Sequence, residues 1–374
     1  MAQVSSVLNN NNNNNNSGGV DDDKMCVYDL WYGCDLNEMK RRFRASSNKS
    51  ITLKNIKLCL YPHDVNQPEE HQKKERERID NSKDMLEIIN VFRPGIKNLV
   101  LENVHASESR LLTRLFMSLG ILEIYPNLTS LTLDFCLLPR VTFMALVDAL
   151  NPLHSRLKHL SISGGNFKQM DMGFSDEQTV QWALMHAIIR NMTLRTVHLR
   201  VGNIREAVFV SLWRCRAMEI ANDINELLID SCPNVKCTNF FGFPWLRCFP
   251  LLNTLRLRRC RITYNSLRNI RWQAINEMRA LTTLDIVDNS ARSMYLTSKT
   301  DMAKPIVAAA SFLLVADIPS VTDFLMTIDL NDTRPVEFRK IIGILDQHPT
   351  LKLNGKPASY YRDILARRPR GGFK

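Results

Sequence analysis

Between residues 96 and 290 the apolar side chains return in one spacing: an apolar residue, two of any kind, a second apolar residue, one of any kind, a third, two of any kind, then Cys, Asn, Gly or another apolar residue. Leu128, Leu131, Leu133 and Cys136 give the clearest copy. Leu252, Leu255, Leu257 and Cys260 repeat it almost unchanged, and Ile224, Leu227, Ile229 and Cys232 give a third. Four more copies run through Ile96, Leu99, Leu101 and Val104, through Leu157, Leu160, Ile162 and Gly165, through Leu194, Val197, Leu199 and Gly202, and through Leu281, Leu284, Ile286 and Asn289. Side chains alternate along a strand, so each copy predicts a short strand that turns its two central apolar residues into a core and the residues between them the other way. The Cys or Asn that follows is expected to make the turn, filling a small buried slot or hydrogen-bonding the loop backbone.

The second apolar residues fall at 99, 131, 160, 197, 227, 255 and 284, at intervals of 32, 29, 37, 30, 28 and 29 residues. Such intervals leave room for a helix in each unit. Leu111, Leu112, Leu115, Phe116, Leu119 and Leu122 recur at helical spacing, as do Phe143, Leu146, Val147 and Leu150. Ser175 with Gln178 reads as a capping box opening a helix that carries Leu184 and Ile188. Two looser copies, Leu53, Ile56 and Leu58 and, near the other end, Leu325, Ile328 and Leu330, extend the series. Pro244 interrupts the helical pattern in the aromatic segment Phe240, Phe241, Phe243, Trp245 and Phe249, most of which is expected in the core.

This pattern resembles the ribonuclease-inhibitor-like class of leucine-rich repeats, whose units reach about 20 to 29 residues with the consensus Leu-x-x-Leu-x-Leu-x-x-Asn/Cys-x-Leu. The resemblance implies an α/β fold, a leucine-rich-repeat solenoid with a curved parallel sheet inside and helices outside. The chain then divides into an Asn-rich tail (1–24), an N-terminal cap (25–61), a charged insertion (62–84), the repeats (85–300), a further repeat with a C-terminal cap (301–355) and a basic tail (356–374). The tail contains eight successive asparagines, Asn9 to Asn16, and offers no apolar face to bury.

Composition narrows the function classes. The net charge of +11 favours an acidic partner, either nucleic acid or an acidic protein surface, but the basic residues are dispersed among 38 acidic ones. Nine cysteines at irregular spacing do not read as a secreted disulfide framework, and the first residues lack a basic start and an apolar signal segment. The longest apolar run, Ile306 to Ala316, is shorter than the roughly 20 residues a membrane span takes, and a core helix accounts for it. A cytoplasmic protein is expected. The basic clusters Lys40, Arg41, Arg42 and Arg44 and Arg367, Arg368, Arg370 and Lys374 fit either a nuclear signal or solvated ends.

No phosphate-binding glycine loop, zincin motif or nucleophile elbow occurs in the chain, so catalysis and a bound cofactor are not expected. Cys232, Cys237, Cys248 and Cys260 lack the spacing of a zinc site, and Cys136, Cys232 and Cys260 already have a structural place in the turns. What alternation exposes is a strand face, from Asn98, Val100 and Glu102 on one strand, through Glu226, Leu228 and Asp230, to Thr283, Asp285 and Val287 on another. That face is polar and of mixed charge, which suits a protein partner better than a phosphate backbone. The expected binding residues are Thr196, His198, Arg200, Asp230, Arg256, Arg258 and Asp285, with Arg200, Asp230 and Arg258 in one row.

Ahead of the repeats, Leu30-Trp31-Tyr32-Gly33-Cys34 resembles the Leu-x-x-x-Cys element with which cullin-RING substrate receptors bind elongin C. Followed by leucine-rich repeats, it is similar to the zyg-eleven family of ubiquitin-ligase receptors, although Asp29 and Glu38 depart from that family's pattern. The resemblance implies elongin C and a cullin as partners, with Leu30 and Cys34 as the adaptor-binding residues.

Overall fold

The computed structural model describes residues 26–29, 36–45, 49–54, 57–58, 92–102, 104–106, 110–119, 125–134, 136, 138, 140–150, 156–164, 174–201, 222–232, 244–260, 262, 264–289, 306–328, 333 and 335–367. Among them, eleven strands form a single sheet in which every pairing is parallel. In chain order these are β1 (Cys26–Asp29), β2 (Ser50–Lys54), β4 (Asn98–Glu102), β6 (Ser130–Asp134), β7 (His159–Ser163), β8 (Thr196–Arg200), β9 (Glu226–Asp230), β10 (Thr254–Arg258), β11 (Thr283–Asp285), β12 (Asp323–Leu325) and β13 (Lys352–Leu353). Each strand pairs with its predecessor and successor in this series, while β3 (Lys57–Leu58) and β5 (His105–Ala106) pair apart.

Register keeps the repeat phase. Leu99, Leu131, Leu160, Val197, Leu227, Leu255 and Leu284 stand side by side across the sheet, and all are buried. The residues between them are half-exposed on most strands, so one sheet face is covered and the other open. Helices alternate with the strands: α1 (Leu36–Ala45), α2 (Arg110–Leu119), α3 (Arg140–Ala149), α4 (Phe174–Arg190), α5 (Tyr264–Glu277), α6 (Ile306–Ala316), α7 (Pro335–Gln347) and α8 (Ala358–Arg367). Neighbouring helices pack in sequence order, α2 on α3, α3 on α4, and α5 through α8 in turn. They bury Phe116, Phe143, Leu146, Leu184, Ile188, Leu267, Ile270, Phe312 and Phe338 against the strand leucines. The result is an α/β fold on one parallel sheet. Among the described residues no helix is long and apolar enough to cross a membrane, and the apolar helix α6 packs in the core.

Three local expectations change. The first unit is set by Ile51 and Leu53, which pair with Leu99 and Leu101, so its strand in the large sheet is Ser50–Lys54, while Leu58 falls in β3, paired with β5 apart from that sheet. In and just after β12 the inward positions belong to Phe324 and Met326, both buried, whereas Leu325 and Ile328 are only half-buried. The phase there is carried by Phe and Met, which a search for leucines passes over. Ser175 lies inside the first turn of α4, which begins at Phe174, rather than at the cap position ahead of it. Gly165, Gly202, Leu122, Leu330, Cys237, Phe240, Phe241 and Phe243, the Asn-rich tail and the charged insertion lie outside the described residues.

Candidate functional site

The open face of β8 to β11 is held by carboxylates, each of which gathers cations from neighbouring strands. Glu226 opens β9 and lies 3.5 Å from His198 Nε2 on one side and 3.3 Å from Arg256 Nε on the other. At the far end of the same strand Asp230 pairs with Arg258 in register and lies 3.9 Å from Arg200 Nε, so Arg200, Asp230 and Arg258 do form one row. Asp230 is filled by two further donors: Arg259, whose Nε donates to Oδ1 at 2.8 Å and whose Nη2 bonds Oδ2, and Ser231 Oγ at 3.0 Å. Arg258 turns to Asp285, where its Nε donates to Oδ2 at 2.9 Å, and the backbone N–H of Val287 donates to Oδ1 at 3.0 Å. The Asp285 hydrogen bond holds the Arg258 guanidinium above its ordinary pKa.

Two of the expected binding residues are therefore not exposed. Asp230 keeps 7% of its surface and Asp285 1%, because the arginines fold over them. A carboxylate is tolerated at that depth when its hydrogen bonds are made and a cation stands against it. The groups left open on the face are instead the arginines, His198, Thr196, Thr254, Thr283 and Leu228. Leu228 sits in the middle row, in register between His198 and Arg256, and is half-buried. The lattice thus has a small apolar centre ringed by charge.

Arg259 and Asp288 were not legible from alternation, which would point residue 259 inward after Leu255 and Leu257. The turn overrides it: Gly164, Ser231, Arg259 and Asp288 occupy the same register position after β7, β9, β10 and β11, and all take left-handed backbone, with φ of 68°, 55°, 50° and 62°. A non-glycine residue pays roughly 1 to 2 kcal/mol for that conformation. At Arg259 the double hydrogen bond to Asp230 and the ion pair to Asp288 at 3.7 Å offset it. Counting Arg200, Arg256, Arg258 and Arg259 against Glu226, Asp230, Asp285 and Asp288, the lattice balances four cations with four anions when His198 is neutral.

Below the face the turn cysteines act as expected for structural residues. The Sγ of Cys136, Cys232 and Cys260 donates to the carbonyls of Leu101, Val201 and Ile229 on the preceding unit, at 3.2, 3.1 and 3.3 Å. Burial pushes the Cys136 and Cys232 thiols up to about 12 and raises that of Cys260 as well. In the next unit Asn289 takes the cysteine's place. Its Oδ1 accepts from the backbone N–H groups of Cys260 and Ile262, and its Nδ2 donates to Leu257 and Ile286 carbonyls. Leu30 and Cys34 lie outside the described residues.

Compared with known proteins, the chain matches no family model and no curated protein.

Proposed function

We propose that the chain is a leucine-rich-repeat solenoid that works without catalysis, binding a partner protein on the open sheet face around Thr196, His198, Arg200, Arg256 and Arg258, with Asp230 and Asp285 as the anchors that fix the arginines. The carrying observation is the charge-balanced lattice surrounding Leu228. Apolar centres with arginines and a polar rim are where binding energy concentrates in protein interfaces. A phosphate backbone laid across the same face would meet as many carboxylates as arginines, which favours a protein of mixed charge over nucleic acid here. In its more specific form this reading makes the chain a substrate receptor that joins elongin C and a cullin through Leu30 and Cys34.

The test is affinity capture followed by mass spectrometry, comparing the natural chain with the double variant Leu228→Arg, Arg256→Glu and with a control changed on the helices, Arg268→Glu. The face variant should lose a defined set of proteins that the control keeps. Identical captures from all three chains would remove the face from consideration, and elongin C in the set lost by Leu30→Ala, Cys34→Ala would support the receptor form.

A further inference from the structure

One step before each strand the backbone continues the sheet's ladder. The N–H of Lys97 donates to the Lys49 carbonyl, Thr129 to Lys97, Lys158 to Thr129 and Arg195 to Lys158, at 3.1, 2.8, 2.7 and 2.7 Å. Four of these five successive rungs are cationic: Lys49, Lys97, Lys158 and Arg195. Arg156 adds a fifth charge beside Lys158, braced by its hydrogen bond to the Pro126 carbonyl at 3.0 Å. The turns leading into these strands, residues 92–97, 125–129, 156–158 and 191–195, contain no Asp or Glu. Among the described residues a carboxylate comes in with the turn before the next strand, where Asp223 pairs with Arg195. The corresponding rungs farther along, Asn225, Asn253, Thr282 and Thr322, are uncharged. Strands lie about 4.8 Å apart, so the basic rungs from Lys49 to Arg195 form a line of about 19 Å along one rim of the face.

These side chains are unequally occupied. Lys49 Nζ caps the end of α1, donating to the carbonyls of Phe43 and Arg44 at 2.9 and 3.1 Å. Lys97 and Lys158 are exposed and bind no partner among the described residues. Their charges are not needed by the fold, unlike those of the arginine lattice on β8 to β11.

We propose that this rim binds a narrow acidic segment of a protein, an extended stretch of about six residues, which would span about 20 Å. Width decides between polyanions. Five residues farther along β4 stands Glu102, and at the same level of β6 Asp134, about 17 Å from the rim. A nucleic-acid duplex lying on the rim would bring phosphates over those carboxylates, whereas a single peptide chain keeps to the basic line. The rungs also include no aromatic side chain, so a single strand of nucleic acid would lack the stacking platform that usually holds its bases. The free lysines of the rim, Lys97 and Lys158, precede β4 and β7, outside the arginine lattice of β8 to β11, and this inference stands whether or not the lattice binds a protein.

The experiment uses the full chain at low ionic strength and fluorescence anisotropy of a labelled polyglutamate peptide of about eight residues. Parallel titrations use an oligouridylate and a DNA duplex. The peptide should bind, and Lys97→Glu, Lys158→Glu should weaken it about tenfold, since both opposite charges become like ones. Lys97→Gln, Lys158→Gln should give a smaller loss with an unchanged melting curve, which separates charge from misfolding. Arg268→Glu, Arg339→Glu on α5 and α7, and the face variant Leu228→Arg, Arg256→Glu, should bind the peptide as the natural chain does. Absence of peptide binding, equal losses in the helix variant, or tighter binding of either nucleic acid through Lys97 and Lys158 would each overturn the proposal.

Discussion

Arg256 and Arg258 stand two residues apart on one strand, and their removal should have unequal effects. Arg256 is about one-third exposed and meets Glu226, itself about one-quarter exposed, so Arg256→Ala should cost less than about 1 kcal/mol, as exposed ion pairs do. Arg258 neutralises Asp285, which is almost wholly buried, and its loss leaves a carboxylate with one backbone N–H for company. Arg258→Ala should cost about 1.5 to 3 kcal/mol, the range for hydrogen bonds to charged groups. Leu255→Ala, which empties a buried site on the same strand, should cost about 2 to 5 kcal/mol. Urea denaturation of the three variants checks the order; an Arg258→Ala protein as stable as Arg256→Ala would mean that Asp285 is compensated from elsewhere. Reversing both arginines is for the same reason a poor test of binding, since Arg258→Glu sets two carboxylates against each other in the fold.

At the level of strand and turn, the cysteine positions couple folding to alkaline pH. The Cys136 and Cys232 thiols titrate near 12 in the folded chain, while an unfolded cysteine titrates near about 8.5. A raised folded value means that the neutral thiol's contribution is complete below about pH 8.5 and is lost as pH climbs toward 12. Unfolding free energy should therefore fall with pH above about 8.5, and Cys136→Ala should reduce that slope by up to one proton. Tyr361, raised by burial and donating its hydroxyl to the Leu353 carbonyl at 2.7 Å, adds to the slope only above about pH 10. Alkylation of native Cys136, Cys232 and Cys260 should be slow at pH 9; fast labelling of a folded chain would contradict their burial. The strand phases that these turns close were legible because Leu-x-Leu, or Leu-x-Ile before Cys232, recurs with a fixed offset to Cys136, Cys232 and Cys260. Phe324 and Met326 do the same packing without the leucine signature, and Arg259 escapes alternation through its left-handed turn, so those were not. The depth of Asp230 and Asp285 was likewise hidden, because it depends on arginines supplied by neighbouring strands.

Among the described residues each inner strand of the large sheet touches the units before and after it, and the paired order follows the chain from β1 to β13 with β3 and β5 set aside. Damage in such an array should spread by nearest neighbours, since no distant element shares the vacated site. Leu257 makes the contrast measurable: it is buried, in register with Ile229 on β9, and β10 carries the sheet on to β11. In a Leu257→Ala chain, amide hydrogen exchange should speed most in β9, β10 and β11, by up to the roughly 30- to 4000-fold that 2 to 5 kcal/mol allows. β4 and β6, five and four strands away in the sheet order, should keep nearly the protection of the natural chain. Equal loss of protection in β4 and β10 would show a sheet that opens as one cooperative unit. The arginine lattice would then be stabilised by the whole array, and small changes at the basic rim could no longer be assumed to leave the distant face undisturbed.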